Sequence, residues 1–174
     1  AGVLAFHNGV ARYKYVAGRE GILPASVGVT HDTHQSPHVG SVIQTALAIV
    51  VVGFFAVMGM DPVLQLFTWL TKLGTLGILG LMAITSFAVV SFFGKNLMGE
   101  TAMSTKILPM ITGAILAFLF VYIFAKFGDL TGASGTLGVV LPSLVLVAAI
   151  LGYLSAGSLE KRDPDKFGDL GKNS

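Results

Sequence analysis

Apolar residues in this chain do not recur at a single spacing. They fill whole stretches, and four of those stretches are long. Val39 to Met60 holds no charged residue, and about 22 residues at 1.5 Å each reach roughly 33 Å, enough for a hydrocarbon core. Val63 to Phe93 contains a single charge, Lys72, and Ile107 to Ala125 is bracketed by Lys106 and Lys126. Val139 to Leu159 has Pro142 one turn from its start, where a helix tolerates proline best. A shorter run, Ala1 to Val10, reads as the tail of another span. Within each run the apolar residues cover every face, as they do where lipid and neighbouring helices surround a segment. The pattern predicts an all-α, polytopic membrane protein with transmembrane helices over 38–60, 62–93, 106–127 and 138–159. The end of a further transmembrane helix, over 1–16, precedes them. Connections fall at 17–37, 94–105 and 128–137, with a tail at 160–174.

Punctuation residues sharpen these boundaries. Ser36 and Pro37 resemble an N-cap and a first-turn proline for the 38–60 helix. In the preceding connection, Gly18 suits the left-handed residue that ends a helix, and Pro24 blocks its resumption.

Composition decides the solvent. Apolar residues make up 53% of the chain, charged residues 11%, and the mean hydropathy is +0.79. A soluble domain devotes about a quarter of its residues to charge, so the bilayer is the expected surrounding. A net charge of +2, with no basic stripe, excludes nucleic acid as a partner. The absence of cysteine excludes a disulfide scaffold and a thiolate metal site. Ala1 begins without a methionine or a basic leader, so the chain is expected to be a fragment that starts within a helix.

Charge also orients the helices. Along the successive connections the cations number 3 (Arg12, Lys14, Arg19), 0, 2 (Lys95, Lys106), 1 (Lys126) and 4 (Lys161, Arg162, Lys166, Lys172). Cytoplasmic loops carry the excess of Lys and Arg. The 17–37 loop, the 94–105 loop and the tail are therefore expected in the cytoplasm, and 128–137 outside. Tyr13 and Tyr15 fit the interfacial aromatic belt.

Candidate chemistry is sparse. Every Asp and Glu lies in a connection or the tail, and no nucleophile–base pair or carboxylate pair falls within a span, so catalytic residues and enzyme activity are not expected. His31, His34 and His38 invite a metal reading, but they sit in a polar loop beside Asp32 and Pro37, and no metal site is expected. Gly74, Gly77 and Gly80, and again Gly132, Gly135 and Gly138, recur at three-residue spacing. Neither set is a phosphate loop; the first reads as close helix packing or a bend.

The segment "ARYKYVAGREGILPASVGVTHDTHQSPHVGSVIQ", Ala11 to Gln44, resembles the loop between transmembrane helices eight and nine of amino-acid permeases. These belong to the amino acid–polyamine–organocation superfamily. Arg12, Tyr15, Gly18, Arg19, Glu20, Gly21, Leu23 and Pro24 match its pattern, and His31, His34, Ser36 and Pro37 continue it. Asp32 stands where that family usually has proline. "FTWLTKLGTLGILG", Phe67 to Gly80, is similar to the start of the family's helix ten. The resemblance implies the C-terminal part, from the end of helix eight through helix twelve, of a leucine-transporter-like inverted-repeat bundle. It also implies a secondary active transporter of amino acids or related amines in the plasma (inner) membrane, coupled to H+ or Na+ and using no other cofactor. Its partners would be the substrate, the bilayer and the missing N-terminal helices. Substrate in that fold binds mostly at broken helices that this chain lacks.

Two places remain as candidate gate or vestibule residues. His7 and Asn8 would lie near the cytoplasmic end of helix eight, either as an inner-gate contact or as a polar interfacial pair. Lys72 lies about ten residues into its run; a central lysine costs roughly 3 kcal/mol to insert, so it faces a cavity or partner, or snorkels to the outer interface. Thr68, Thr71 and Thr75 share its side of the helix, and Leu66, Leu70, Leu73 and Leu76 form the expected apolar face. The rival to transport is a stand-alone four-helix membrane scaffold or subunit.

Overall fold

A computed structural model describes residues 2–95, 99–133 and 135–170. Those residues are helical or in short connections, with no strand among them. Four helical stretches are long and apolar enough to cross a membrane: His38–Val57, Pro62–Gly94, Met103–Ala125 and Leu137–Arg162. No more than 11% of the most apolar window of any of them is buried within the chain. Their side chains are therefore left for lipid or other helices to cover. The chain divides into two units, Ala1–Gly59 with Ala148–Ser174, and Met60–Val147.

In the first unit, α1 (Gly2–Arg19) leads through a 3-10 turn (Ala25–Gly28) to α2 (His38–Val57). It also holds the part of α6 (Leu137–Arg162) from Ala148 onward, and α7 (Pro164–Gly168). Helix α1 continues through Gly18 to Arg19, so Gly18 does not end it in a left-handed turn. The left-handed residue is Gly21, at φ 83. Gly18 serves close approach instead. A methyl group there would lie 2.5 Å from the Gly28 nitrogen, and one on Gly28 would lie 2.7 Å from the Arg19 nitrogen. Two backbones touch at this point with no side chain between them.

The chain enters α2 by a different device from the one expected. Pro37, not Ser36, occupies the N-cap, with φ −75 and ψ 68, the geometry of an inverse γ-turn. The His38 and His31 amides both donate to the Ser36 carbonyl at 2.8 Å. No side chain caps the helix. Gly40 then meets Ala11 of α1, where a methyl on Gly40 would sit 2.8 Å from the Ala11 carbonyl oxygen. Small residues let these two helices cross at backbone distance. On the far side of the loop, Ser155 Oγ donates to the Ile22 carbonyl at 2.6 Å, and Leu159 is buried beside Gly21.

In the second unit, α3 (Thr68–Lys95) and α4 (Leu108–Ala125) each follow a π-helical turn, Pro62–Phe67 and Met103–Ile107. Asp61 caps the first of these, its Oδ1 accepting from the Val63 and Leu64 amides. Gln65 returns its Oε1 to the Asp61 amide at 2.7 Å. This reciprocal pairing spans four residues instead of the three of an ordinary capping box, which suits the wider π turn. Trp69, Leu76 and Ala83 recur every seven residues and are the buried seam of α3. Of the expected apolar face, Leu76 is fully buried, Leu66 and Leu73 are half-buried, and Leu70 is exposed. Of the first glycine set, Gly80 packs, its hydrogens facing the Phe120 ring, while a methyl on Gly74 or Gly77 would meet nothing within 4 Å. Gly113 of α4 similarly faces Phe87 and Ser86.

The 128–137 connection is more structured than its glycines predict. A short helix, α5 (Phe127–Thr131), opens it, with Phe127 fully buried. Trp69 Nε1 donates to the Thr131 carbonyl at 3.1 Å, and Thr131 Oγ1 donates to the Phe127 carbonyl at 2.6 Å. Gly132 and Gly135 take positive φ, and Gly138 lies against Gly128 and the Ala133 carbonyl. These glycines turn and pack the connection onto Trp69. Pro142, within α6, is buried.

Candidate functional site

The side chains of the resembling loop divide into those that build it and those left available. Gly18, Gly21, Pro24, Ser36 and Pro37 shape its backbone: Pro24 leads the 3-10 turn, where its carbonyl accepts from the Val27 amide at 2.9 Å. Arg19 reaches back one turn to the Tyr15 hydroxyl at 3.4 Å, its guanidinium 5.8 Å from that ring's centre. The Glu20 amide closes the last turn of α1 on the Val16 carbonyl at 2.9 Å.

Where α1 and α2 cross, polar side chains join them. His7 Nε2 and Ser41 Oγ lie 2.8 Å apart, and Lys14 Nζ donates to Gln44 Oε1 at 2.7 Å. His7 is thus engaged with α2. Neither Ser41 nor Gln44 stood out in the sequence. Their three-residue spacing at the start of an otherwise apolar run was the available signal.

Beside this crossing lies a pocket of about 430 Å3, lined among others by Asn8, Arg12, Ser36, His38 and Ser41. Arg12 is exposed and, among the described residues, has no hydrogen bond or ion pair. Asn8 is likewise exposed. No acidic side chain lines the pocket among the described residues. The three loop histidines gather around one ring: His31 lies 5.0 Å from His34 and 5.4 Å from His38, centre to centre. Their partners are one another and the loop backbone. The His31 Nδ1 accepts from the Thr33 amide at 3.3 Å, while the His38 Nδ1 is buried without a partner. No group of His, Cys, Asp and Glu with the makings of a metal site occurs among the described residues.

Lys72 is remote in sequence from all of this and belongs to the second unit. It is exposed on α3, flanking the Trp69–Leu76–Ala83 seam. Thr75 Oγ1 bonds the Thr71 carbonyl at 2.9 Å, and Thr68 Oγ1 bonds the Val63 carbonyl at 3.1 Å. The hydroxyls of Thr68 and Thr75 are therefore satisfied by carbonyls one turn back along the chain. Among the described residues nothing pairs with the Lys72 ammonium.

The chain matches no family model, no curated protein and no solved structure.

Proposed function

We propose that the chain is the C-terminal portion of a secondary active amino-acid transporter. It would move amino acids or related amines across the plasma (inner) membrane by alternating access, driven by a proton or sodium gradient or by exchange. The observation that carries this reading is the Ala11–Gln44 segment. It carries a specific run of motif residues, and the chain that holds it has four helices apolar and long enough to cross a membrane. The motif glycines and prolines have definite backbone duties, which is what a loop selected for its shape requires. The alternating cations support the same reading, since the positive-inside rule favours a cytoplasmic 17–37 loop and tail, the arrangement permease topology demands.

In this reading the chain supplies scaffold helices, and the midplane substrate site is built mostly on broken helices outside it. His7 and Asn8 stand at the inner gate, and Lys72 faces an aqueous vestibule or a helix absent from this chain. The deciding experiment is to read the gene upstream of Ala1. Seven further helices, with a Gly-rich break in the first, are expected; a start codon immediately upstream would favour a four-helix scaffold. As a second check, Ala1–Ser174 alone in liposomes is expected to take up no amino acid. Saturable uptake by that segment would defeat the assignment of the substrate site to other helices.

A further inference from the structure

We infer that the pocket between α1 and α2 binds a phosphate group, carried on the headgroup of an anionic membrane lipid or free in solution. The pocket is formed by α1, α2 and their connection alone, so the inference does not rest on the transport reading. Its one cation, Arg12, is exposed and without a partner among the described residues. A guanidinium offers paired N–H donors that match two phosphate oxygens, a geometry a lysine lacks. Asn8 and Ser36 also line this space, as does Ser41, whose hydroxyl is already paired with His7, and among the described residues no carboxylate opposes an anion there. At about 430 Å3 the pocket has room for a phosphate together with part of the group that carries it.

Position supplies the second argument. The apolar span of α2 begins at His38, which itself lines the pocket. The pocket therefore opens at the level where hydrocarbon gives way to headgroups. From there α2 continues with exposed Val42, Ile43 and Leu47, a surface on which acyl chains can lie. A basic pocket between helices at this depth suits a lipid phosphate.

The test uses the full-length protein purified in mild detergent and native mass spectrometry, with phosphatidylglycerol and phosphatidylcholine as probes. The wild type is expected to retain phosphatidylglycerol over phosphatidylcholine. Arg12→Gln should weaken that retention about tenfold, as expected for hydrogen bonds to a charged group. Lys126→Gln, in a different connection, should leave it unchanged. If Arg12→Gln does not fold, Asn8→Ala keeps the charge and should give a smaller loss. Displacement of the lipid by millimolar inorganic phosphate would make free phosphate the ligand, and resistance to it would make the lipid the ligand. Equal retention of both lipids by the wild type, or equal losses in Arg12→Gln and Lys126→Gln, would overturn the inference.

Discussion

At Gly18 one methyl group is the difference between a formed and an obstructed loop. Its nearest neighbours are backbone atoms of Val27 and Gly28, which cannot rotate away. Gly18→Ala is expected to lower stability by about 1–3 kcal/mol, the usual penalty of overpacking. Gly9→Ala, with nothing within 4 Å of the added methyl, should be neutral or slightly stabilising, because alanine favours a helix. Thermal midpoints of the detergent-purified protein would compare the two, and equal shifts would refute the contact. Trp69→Phe keeps an aromatic side chain but removes the indole N–H and strands the buried Thr131 carbonyl, at a cost of about 1–3 kcal/mol. An unchanged midpoint would mean that another donor replaces the indole. Sequence alone marked Gly18 but gave it the wrong duty. A glycine needed for φ and one needed for closeness look alike until the neighbouring segment is placed. Gly28, its counterpart ten residues on, carried no local signal at all.

Among the elements, the four spans were legible because the length a bilayer demands is read directly from an apolar run. Helix α5 was not, since five residues are too few to display a period and the glycines in and after it look like a loop. The π turns before α3 and α4 were equally hidden, because i→i+5 bonding leaves no mark on hydrophobic spacing. The seam of α3 was only half visible: the leucines drew attention, while Trp69 and Ala83 share it with Leu76. Lys72 is the element-scale question. Replacing it with leucine removes a charge that costs about 2.5–3.5 kcal/mol at a helix centre. Lys72→Leu is therefore expected to raise the thermal midpoint while abolishing transport by the full-length protein. Undiminished transport in a stabilised variant would make the lysine an interfacial bystander.

For the molecule as a whole, orientation in the membrane is the leading prediction. Thr33, in the histidine loop, and Thr136, before α6, are both exposed, and the alternation of cations predicts opposite sides of the membrane for them. In a cysteine-free chain, single cysteines at these positions should differ toward an impermeant thiol reagent on intact cells. Thr136→Cys is expected to label, and Thr33→Cys only after permeabilisation; the reverse pattern would invert the topology. Charge alternation was readable at this scale because it is additive along the chain. The α1–α2 pocket was not, since it joins residues about thirty positions apart through a loop whose path depends on Gly18 and Gly28. Lys172 and the rest of 171–174, counted toward the cytoplasmic tail, lie outside the described residues.

The meeting of Gly18 with Gly28, and of Gly40 with Ala11, has a mechanical side. Side chains cushion most helix contacts, because a rotamer can yield when one helix tilts. Where backbone rests on backbone there is nothing to yield, so the end of α1, the 3-10 turn and the start of α2 form a strut. A tilt of α1 would be handed to α2 with little loss. Amide hydrogen exchange reads this directly: the Ala25–Gly28 turn, although at the surface, should exchange in step with the last turn of α1 and not as an independent loop.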